Sequence, residues 1–135
     1  SLPGVPPLKT AYIDSSCFIS IALGEPGSRE LMARLSRCEE LFSSNLLEAE
    51  FRAALAREGL RSQVTNLLSW VRWVFPKRRL TPELDQILGV CGPKGADLWH
   101  LACALFLKRQ VGALFFLTLD RRQNDNAQTL GLRGL

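Results

Sequence analysis

Four acidic residues of this chain stand where a carboxylate can do chemistry. Asp14 closes a short apolar run, Lys9–Ile13, and Asp120 closes a second, Leu114–Leu119. Asp97 opens a long apolar segment after the loop Gly92-Pro93-Lys94-Gly95, and Glu50 falls in the first turns of the segment that follows Glu40–Ser43. In an open parallel sheet, ligands bind at the carboxyl ends of the strands, the same edge at which the following helices begin. All four acids therefore point to one rim. Carboxylates gathered there repel one another unless cations sit between them, and hard oxygen donors of this kind suit Mg²⁺ or Mn²⁺ with retained waters. The chemistry such a site offers is phosphodiester hydrolysis: metal ions activate water and offset charge on the scissile phosphate, while Arg and Lys hold the polyanion.

Each acid also has a plainer role open to it. Asp14, ahead of Ser15, and Asp97 suit helix N-caps, where a carboxylate accepts free main-chain N–H groups and meets the positive end of the dipole. Asp120, ahead of Arg121-Arg122, suits a cap or a solvated turn, and Glu50 a solvated helix face. The shared rim is what favours the functional reading, because four independent structural roles would have to coincide there. Glu48 competes with Glu50: at about 100° per residue the two flank the stripe Leu47, Phe51, Ala54 and Leu55 on opposite sides, and helical phase does not decide between them.

The elements that must position these acids alternate. Lys9–Ile13 reads as a strand, Ser15–Leu23 as a helix ended by Gly24-Glu25-Pro26-Gly27, and Ser28–Ser36 as a second helix on the spacing of Leu31, Met32 and Leu35. Glu40–Ser43 reads as a strand, Asn45–Glu58 as a helix stopped by Gly59, and Val64–Val74 as another helix. Phe75–Leu80 reads as a basic irregular link, and Pro82–Leu88 as a helix with proline in its first turn. Asp97–Arg109, apolar on nearly every face, reads as a crossover helix; Leu114–Leu119 is the continuous apolar run of a buried parallel strand. A helix over Arg121–Leu130 and an edge strand within Gly131–Leu135 complete the chain. Strands and helices in this order predict an α/β fold, a three-layer α/β/α sandwich with a central parallel sheet.

Length and composition agree with that architecture. The 135 residues suit one domain, 47% hydrophobic and 22% charged, which excludes disordered and collagen-like classes. We expect a flexible Pro-rich segment over residues 1–8 and a folded domain over 9–135. The net charge of +4, carried by thirteen Arg and four Lys against thirteen acids, favours polyanionic partners. Cys17, Cys38, Cys91 and Cys103 form no C-x-x-C pair and read as small apolar residues, reduced in a cytoplasm. Neither a signal peptide nor a membrane span is expected.

The ordered motifs Tyr12-Ile13-Asp14-Ser15-Ser16, Ser43-Ser44 followed by Glu50-x-Arg52-Ala53-Ala54-Leu55, Asp97-x-x-His100-Leu101-Ala102-x-Ala104 and Phe116-Leu117-Thr118-Leu119-Asp120-Arg121-Arg122-Gln123 resemble the PIN domain family. Within that family they look like the VapC-type toxin ribonucleases. The match runs over residues 10–132. The resemblance implies metal-dependent cleavage of single-stranded RNA leaving 3′-hydroxyl and 5′-phosphate ends, a homodimer, and a small antitoxin partner. It places Asp14, Glu50, Asp97 and Asp120 on the family's acidic positions, and so selects Glu50 over Glu48. Ser15 or Ser16 and Thr118 match the small hydroxyl positions beside the acids.

Asp125, one turn past Asp120, is a further candidate that the motif does not require. His100 matches a frequent family residue and reads as a packed helix histidine bonding locally. Arg121 and Arg122, next to the rim, are the candidates for holding RNA. The stretch from Trp70 to Arg79 interleaves aromatic and basic residues. Base stacking is one reading; packing of Trp70, Trp73 and Val74 in a core or dimer face, with solvated charges, is preferred. An RNA-processing enzyme outside a toxin system and a non-catalytic binding module on the same fold are the alternatives.

Overall fold

The computed structural model describes residues 9–61 and 65–134; the segment expected to be flexible, 1–8, and the last residue lie outside the described residues. The elements run β1 (Thr10–Ile13), α1 (Ser15–Leu23), α2 (Ser28–Ser36), β2 (Glu40–Ser44), α3 (Leu46–Arg57), α4 (Thr65–Leu68), β3 (Val71–Val74), α5 (Thr81–Leu88), α6 (Gly95–Val111), β4 (Phe115–Leu117) and α7 (Arg121–Thr129). The four strands form a parallel sheet in the order β3-β2-β1-β4. The chain runs outward from β1 through β2 to β3 and then crosses back to place β4 on the other side of β1, so the crevice between β1 and β4 is the switch point at which open α/β sheets bind ligands.

Alternation along the strands divides the core into two layers. Ala11, Ile13, Leu41, Val71 and Leu117 join Phe18, Leu35, Leu47, Phe51 and Leu55 of α1–α3 on one face. Tyr12, Val74 and Phe116 join Leu80, Ile87, Leu101, Leu105 and Ala127 on the other, against α5–α7. This is the expected three-layer sandwich. Residues Leu101–Leu105 are all buried, as a helix covered on several sides requires.

Two expectations need correction. The helix expected over Val64–Val74 is a single short turn, Thr65–Leu68, followed by the edge strand β3; Val64 itself lies outside the described residues. Val71-Arg72-Trp73-Val74 is β-branched and aromatic, and pairing from Leu41↔Val71 to Ser44↔Val74 decided between two patterns that a short apolar run leaves ambiguous. Trp70 is consequently exposed, Trp73 half-buried, and only Val71 and Val74 reach the core. The expected edge strand within Gly131–Leu135 reduces to one bridge, Phe115↔Arg133, with the Phe116 N–H donating to the Arg133 carbonyl at 2.7 Å. Smaller shifts are α6 starting at Gly95, two residues ahead of Asp97, and β4 contracting to Phe115–Leu117.

The link after β3 is fastened by a buried acid. Glu83 of α5 is fully buried, and Arg78 clasps it with two hydrogen bonds of 3.0 and 2.7 Å while Arg109 of α6 lies 3.0 Å away. Arg78 also covers the Phe106 ring. The Arg78 hydrogen bonds hold the Glu83 carboxyl below the usual range in spite of its burial. A lowered folded pKa contributes stability above the unfolded value, lost as pH falls through the folded one. Glu83→Gln is therefore expected to lower the urea midpoint at pH 7, with the difference from the parent shrinking below about pH 4, the ordinary carboxylate range. A constant difference across pH would contradict this.

Cys17 and Cys103 are buried, Cys38 and Cys91 half-buried, and all four are free thiols. Burial pushes the thiols of Cys17 and Cys103 up, which keeps them protonated and inert. Among the described residues no helix is long and apolar enough to cross a membrane.

Candidate active site

Three loops at the carboxyl ends of β1, β2 and β4, together with the start of α6, bring the four acids to one side of the sheet. Asp14 forms the floor. It is 5% exposed, directly follows β1, and donates its main-chain N–H to the Leu117 carbonyl of β4 at 3.2 Å. Its carboxylate Oδ1 accepts the Ser16 N–H at 3.2 Å and the Ser16 hydroxyl at 2.5 Å. Asp14 is thus both the N-cap of α1 and an acid facing the crevice. Burial pushes its carboxyl up, against the opposing effects of Ser16, Thr118 and His100.

Asp120 forms the lip. It is exposed, and its Oδ1 accepts the Gln123 N–H at 3.0 Å, capping α7. The plainer capping role thus holds for Asp14 and Asp120. It does not hold for Asp97: the N-cap of α6 is Lys94, and Asp97 sits in the first turn without capping it. Partial burial pushes the Asp97 carboxyl up, and the negative charges of Asp120 and Glu50 push it further, against the effect of His100.

The helical ambiguity between Glu48 and Glu50 is resolved by their partners. Glu48 pairs with Arg52 one turn along α3, at 2.6 Å on an exposed face. Glu50 turns toward α6, where its Oε1 meets His100 Nε2 at 2.7 Å. His100 is packed as expected, 1% exposed, but its hydrogen bonds are not local. Its Nδ1 meets the Tyr12 hydroxyl at 2.7 Å, and that hydroxyl also accepts the Ser44 N–H at 3.1 Å. Tyr12 lies fully buried against Phe116, the rings stacked with centroids 5.5 Å apart, and burial pushes its phenol up so that it remains a donor.

The hydroxyl residues knit the floor to the lip. Ser16 Oγ accepts the Leu119 N–H at 2.9 Å and lies 3.4 Å from Thr118 Oγ1, which accepts the Asp120 N–H at 3.1 Å. Ser15 is the half-buried first residue of α1. Asp125 is exposed on α7, its main-chain carbonyl accepting the Thr129 hydroxyl, and it does not line the cleft beside Asp97 and Asp120. That cleft, ≈ 420 Å³, is also lined by Lys94, Arg122, Gln123 and Asn126. Arg121 and Arg122 are both exposed.

Lys94, Asn126, Gln123 and Tyr12 were not singled out from the sequence. Gln123 is the least expected: 1% exposed, it donates from Nε2 to the Asp97 carbonyl at 2.9 Å and ties α7 to α6. A larger groove, ≈ 520 Å³, lies elsewhere, lined by Phe42, Trp73, Phe75 and Phe106 with Lys77 and Arg78 and no carboxylate. Size alone would choose it, but it has no acid to do the chemistry.

As the side chains stand, no three acidic, histidine or cysteine groups among the described residues close on one point at ligand distance. The donor set nevertheless fits a hard divalent cation. All four donors are carboxylates, Asp97 is raised by burial and by its acidic neighbours, and the hydrogen bonds to His100 and Gln123 occupy one oxygen each of Glu50 and Asp120.

Residues 11–128 match the family model described as PIN domain. Two curated relatives, Ribonuclease VapC45 of Mycobacterium tuberculosis (strain CDC 1551 / Oshkosh) and Ribonuclease VapC49 of Mycobacterium tuberculosis (strain ATCC 25618 / H37Rv), are each 31% identical to this chain over 136 residues. Each alignment covers 90% of this chain and 92% of the relative.

Proposed function

Because the chain belongs to the PIN domain family, we propose that it is a divalent-metal-dependent endoribonuclease acting on single-stranded RNA, and the toxin of a toxin–antitoxin pair. The observation that carries this reading is that Asp14 follows β1 and Asp120 follows β4 at the carboxyl edge of the sheet, with Asp97 in the first turn of α6 and Glu50 of α3 bonded to His100 one turn further along α6. The names of the relatives support the ribonuclease activity and the toxin role.

Asp14, Glu50, Asp97 and Asp120 are the residues that hold the ion. When bound, Mg²⁺ or Mn²⁺ supplies a Lewis acid that activates water and offsets the charge developing on the scissile phosphate. Ser16 and Thr118 fix the Asp14 carboxylate and the Asp120 main chain, and Ser15 begins the helix that Asp14 caps. Arg122, from the cleft wall, and Arg121 beside it attract the phosphate backbone, with Lys94 opposite them. The proposed setting is cytoplasmic, with RNA as substrate, a homodimer as the working form, and a small antitoxin protein as the partner that silences it.

The test is cleavage of a single-stranded oligoribonucleotide by the purified protein. Activity is expected with Mn²⁺ or Mg²⁺, none with EDTA, and none from Asp14→Asn. Equal cleavage in EDTA, or by Asp14→Asn in Mn²⁺, would overturn the metal reading. Growth arrest on expression, relieved by a small neighbouring gene, separates a toxin from an RNA-processing enzyme.

A further inference from the structure

In the neutral ring the hydrogen bonds around His100 fit one direction, because the Glu50 carboxylate oxygen accepts at one end and the Ser44 N–H donates at the other. The Ser44 N–H can only donate, so the Tyr12 oxygen accepts there and its own proton is free for His100 Nδ1, 2.7 Å away. A ring nitrogen that accepts carries no proton. In the neutral ring the proton is then on Nε2, which donates to Glu50 Oε1 at 2.7 Å. The line runs from the end of β2 through β1 and α6 to α3, and every polar atom in it has a partner.

The line is also rigid. Tyr12 cannot swing, because Phe116 stacks on it at an interplanar angle of 8° and the His100 ring meets it edge-on at 5.8 Å. Tyr12 and His100 are buried to within 1% of full burial, whereas the Glu50 side chain at the end of the line is 29% exposed. A glutamate on a helix surface has several rotamers, and ordering it on binding a ligand costs free energy. Anchoring one oxygen in advance removes much of that cost and leaves the second oxygen available. Groups that orient ligating side chains do this in metal sites generally.

We propose that His100, its ring oriented and its tautomer fixed by Tyr12, is the positioning residue that holds the Glu50 carboxylate at the acidic rim. This rests on the reading of Glu50 as one of the acids that hold the ion. His100 touches neither substrate nor reacting atoms in this role; it acts through Glu50.

The chain has a single histidine, so its imidazole nitrogens give one set of ¹⁵N signals. In the metal-free protein these are expected to show a proton on Nε2, donated to Glu50. Tyr12→Phe, which keeps the stacked ring and removes the hydroxyl, is expected to release the ring into a mixture of tautomers. Mn²⁺ titration followed by electron paramagnetic resonance is expected to show binding weakened by roughly 10–100-fold in His100→Leu, and by roughly tenfold in Tyr12→Phe. His100→Gln places an amide N–H near the Nε2 position and is expected to recover most of the affinity. A ring without a proton on Nε2 in the parent overturns the proposal. So does parental Mn²⁺ affinity in Tyr12→Phe, which retains the core packing and so remains informative if His100→Leu does not fold. If the parent itself binds no Mn²⁺, or Asp97→Asn binds it equally well, the metal reading fails instead, whatever the tautomer.

Discussion

Replacing Asp97 by Asn is expected to reduce RNA cleavage in Mn²⁺ by about 10²–10³-fold and, in the same protein, to raise the melting temperature measured without metal. The first effect follows from removing a ligand to an ion whose charge stabilisation is worth several kcal/mol in the transition state, at about 1.4 kcal/mol per factor of ten. The second follows from the raised pKa. Partial burial, then the charges of Asp120 and Glu50, disfavour the ionised Asp97 in the folded chain. A carboxyl raised on folding costs nothing below its unfolded pKa, and its cost grows as pH rises through the window up to its folded one. The gain on substitution is thus absent below about pH 4 and grows as the pH rises above it.

The α6 dipole works in the opposite sense, because a first-turn carboxylate is favoured there. Burial and the charges of Asp120 and Glu50 act against it. Asn keeps the volume and no side-chain cap of α6 is lost, so packing does not obscure the result. Mn²⁺ should stabilise the parent by mass action and the variant far less. Unimpaired cleavage by Asp97→Asn would remove this residue from the site. Lost cleavage with a lowered metal-free melting temperature would make the carboxylate a structural group.

Phe51→Ala is expected to cost about 3–5 kcal/mol of folding stability, a large share of the 5–15 kcal/mol that a domain possesses. Phe51 is completely buried, packs against Phe18 with ring centroids 5.8 Å apart, and anchors α3 to the layer built by α1 and α2. It is also the residue after Glu50, so the same turn that buries the ring presents the carboxylate to His100. Phe51→Leu, which keeps most of the volume, should cost less than about 1.5 kcal/mol. Urea unfolding with an unchanged slope is the measurement, and a loss under about 1 kcal/mol for the alanine variant would contradict the assigned packing. If the truncated protein remains folded, its affinity for Mn²⁺ should fall as well, because α3 then holds Glu50 less firmly.

Much of this molecule was legible in the chain itself, and the exceptions have identifiable causes. Strand-closing Asp14 and Asp120, the helix over Ser15–Leu23 and the continuous apolar faces of α6 follow from local patterns: apolar periodicity, glycine stops and capping residues. β3 did not, because Val71–Val74 is too short for its period to separate strand from helix, and only β2 supplied the pairing that decided. The two-layer division of the core, likewise, follows from strand alternation once β1 is known to be central.

The functional candidates divide in the same way. The residue types and their order, acids after strands and at helix starts, were set by the sequence, since neighbours along the chain share an edge of the sheet whatever the details. Which glutamate turns inward was not set by helical phase, because Glu48 and Glu50 flank one apolar stripe symmetrically; the family resemblance favoured Glu50, and contacts with Arg52 and His100 distinguish the two physically. Nor could the chain announce that Tyr12, Ser44, His100 and Glu50 form one line. Tyr12 and Asp14 do share a strand face, and Asp97 and His100 a helix face, so periodicity hinted at membership. The bonds that join them span 32 to 88 residues, and hydrogen bonds at such separations exist only after the sheet has brought its strand ends together.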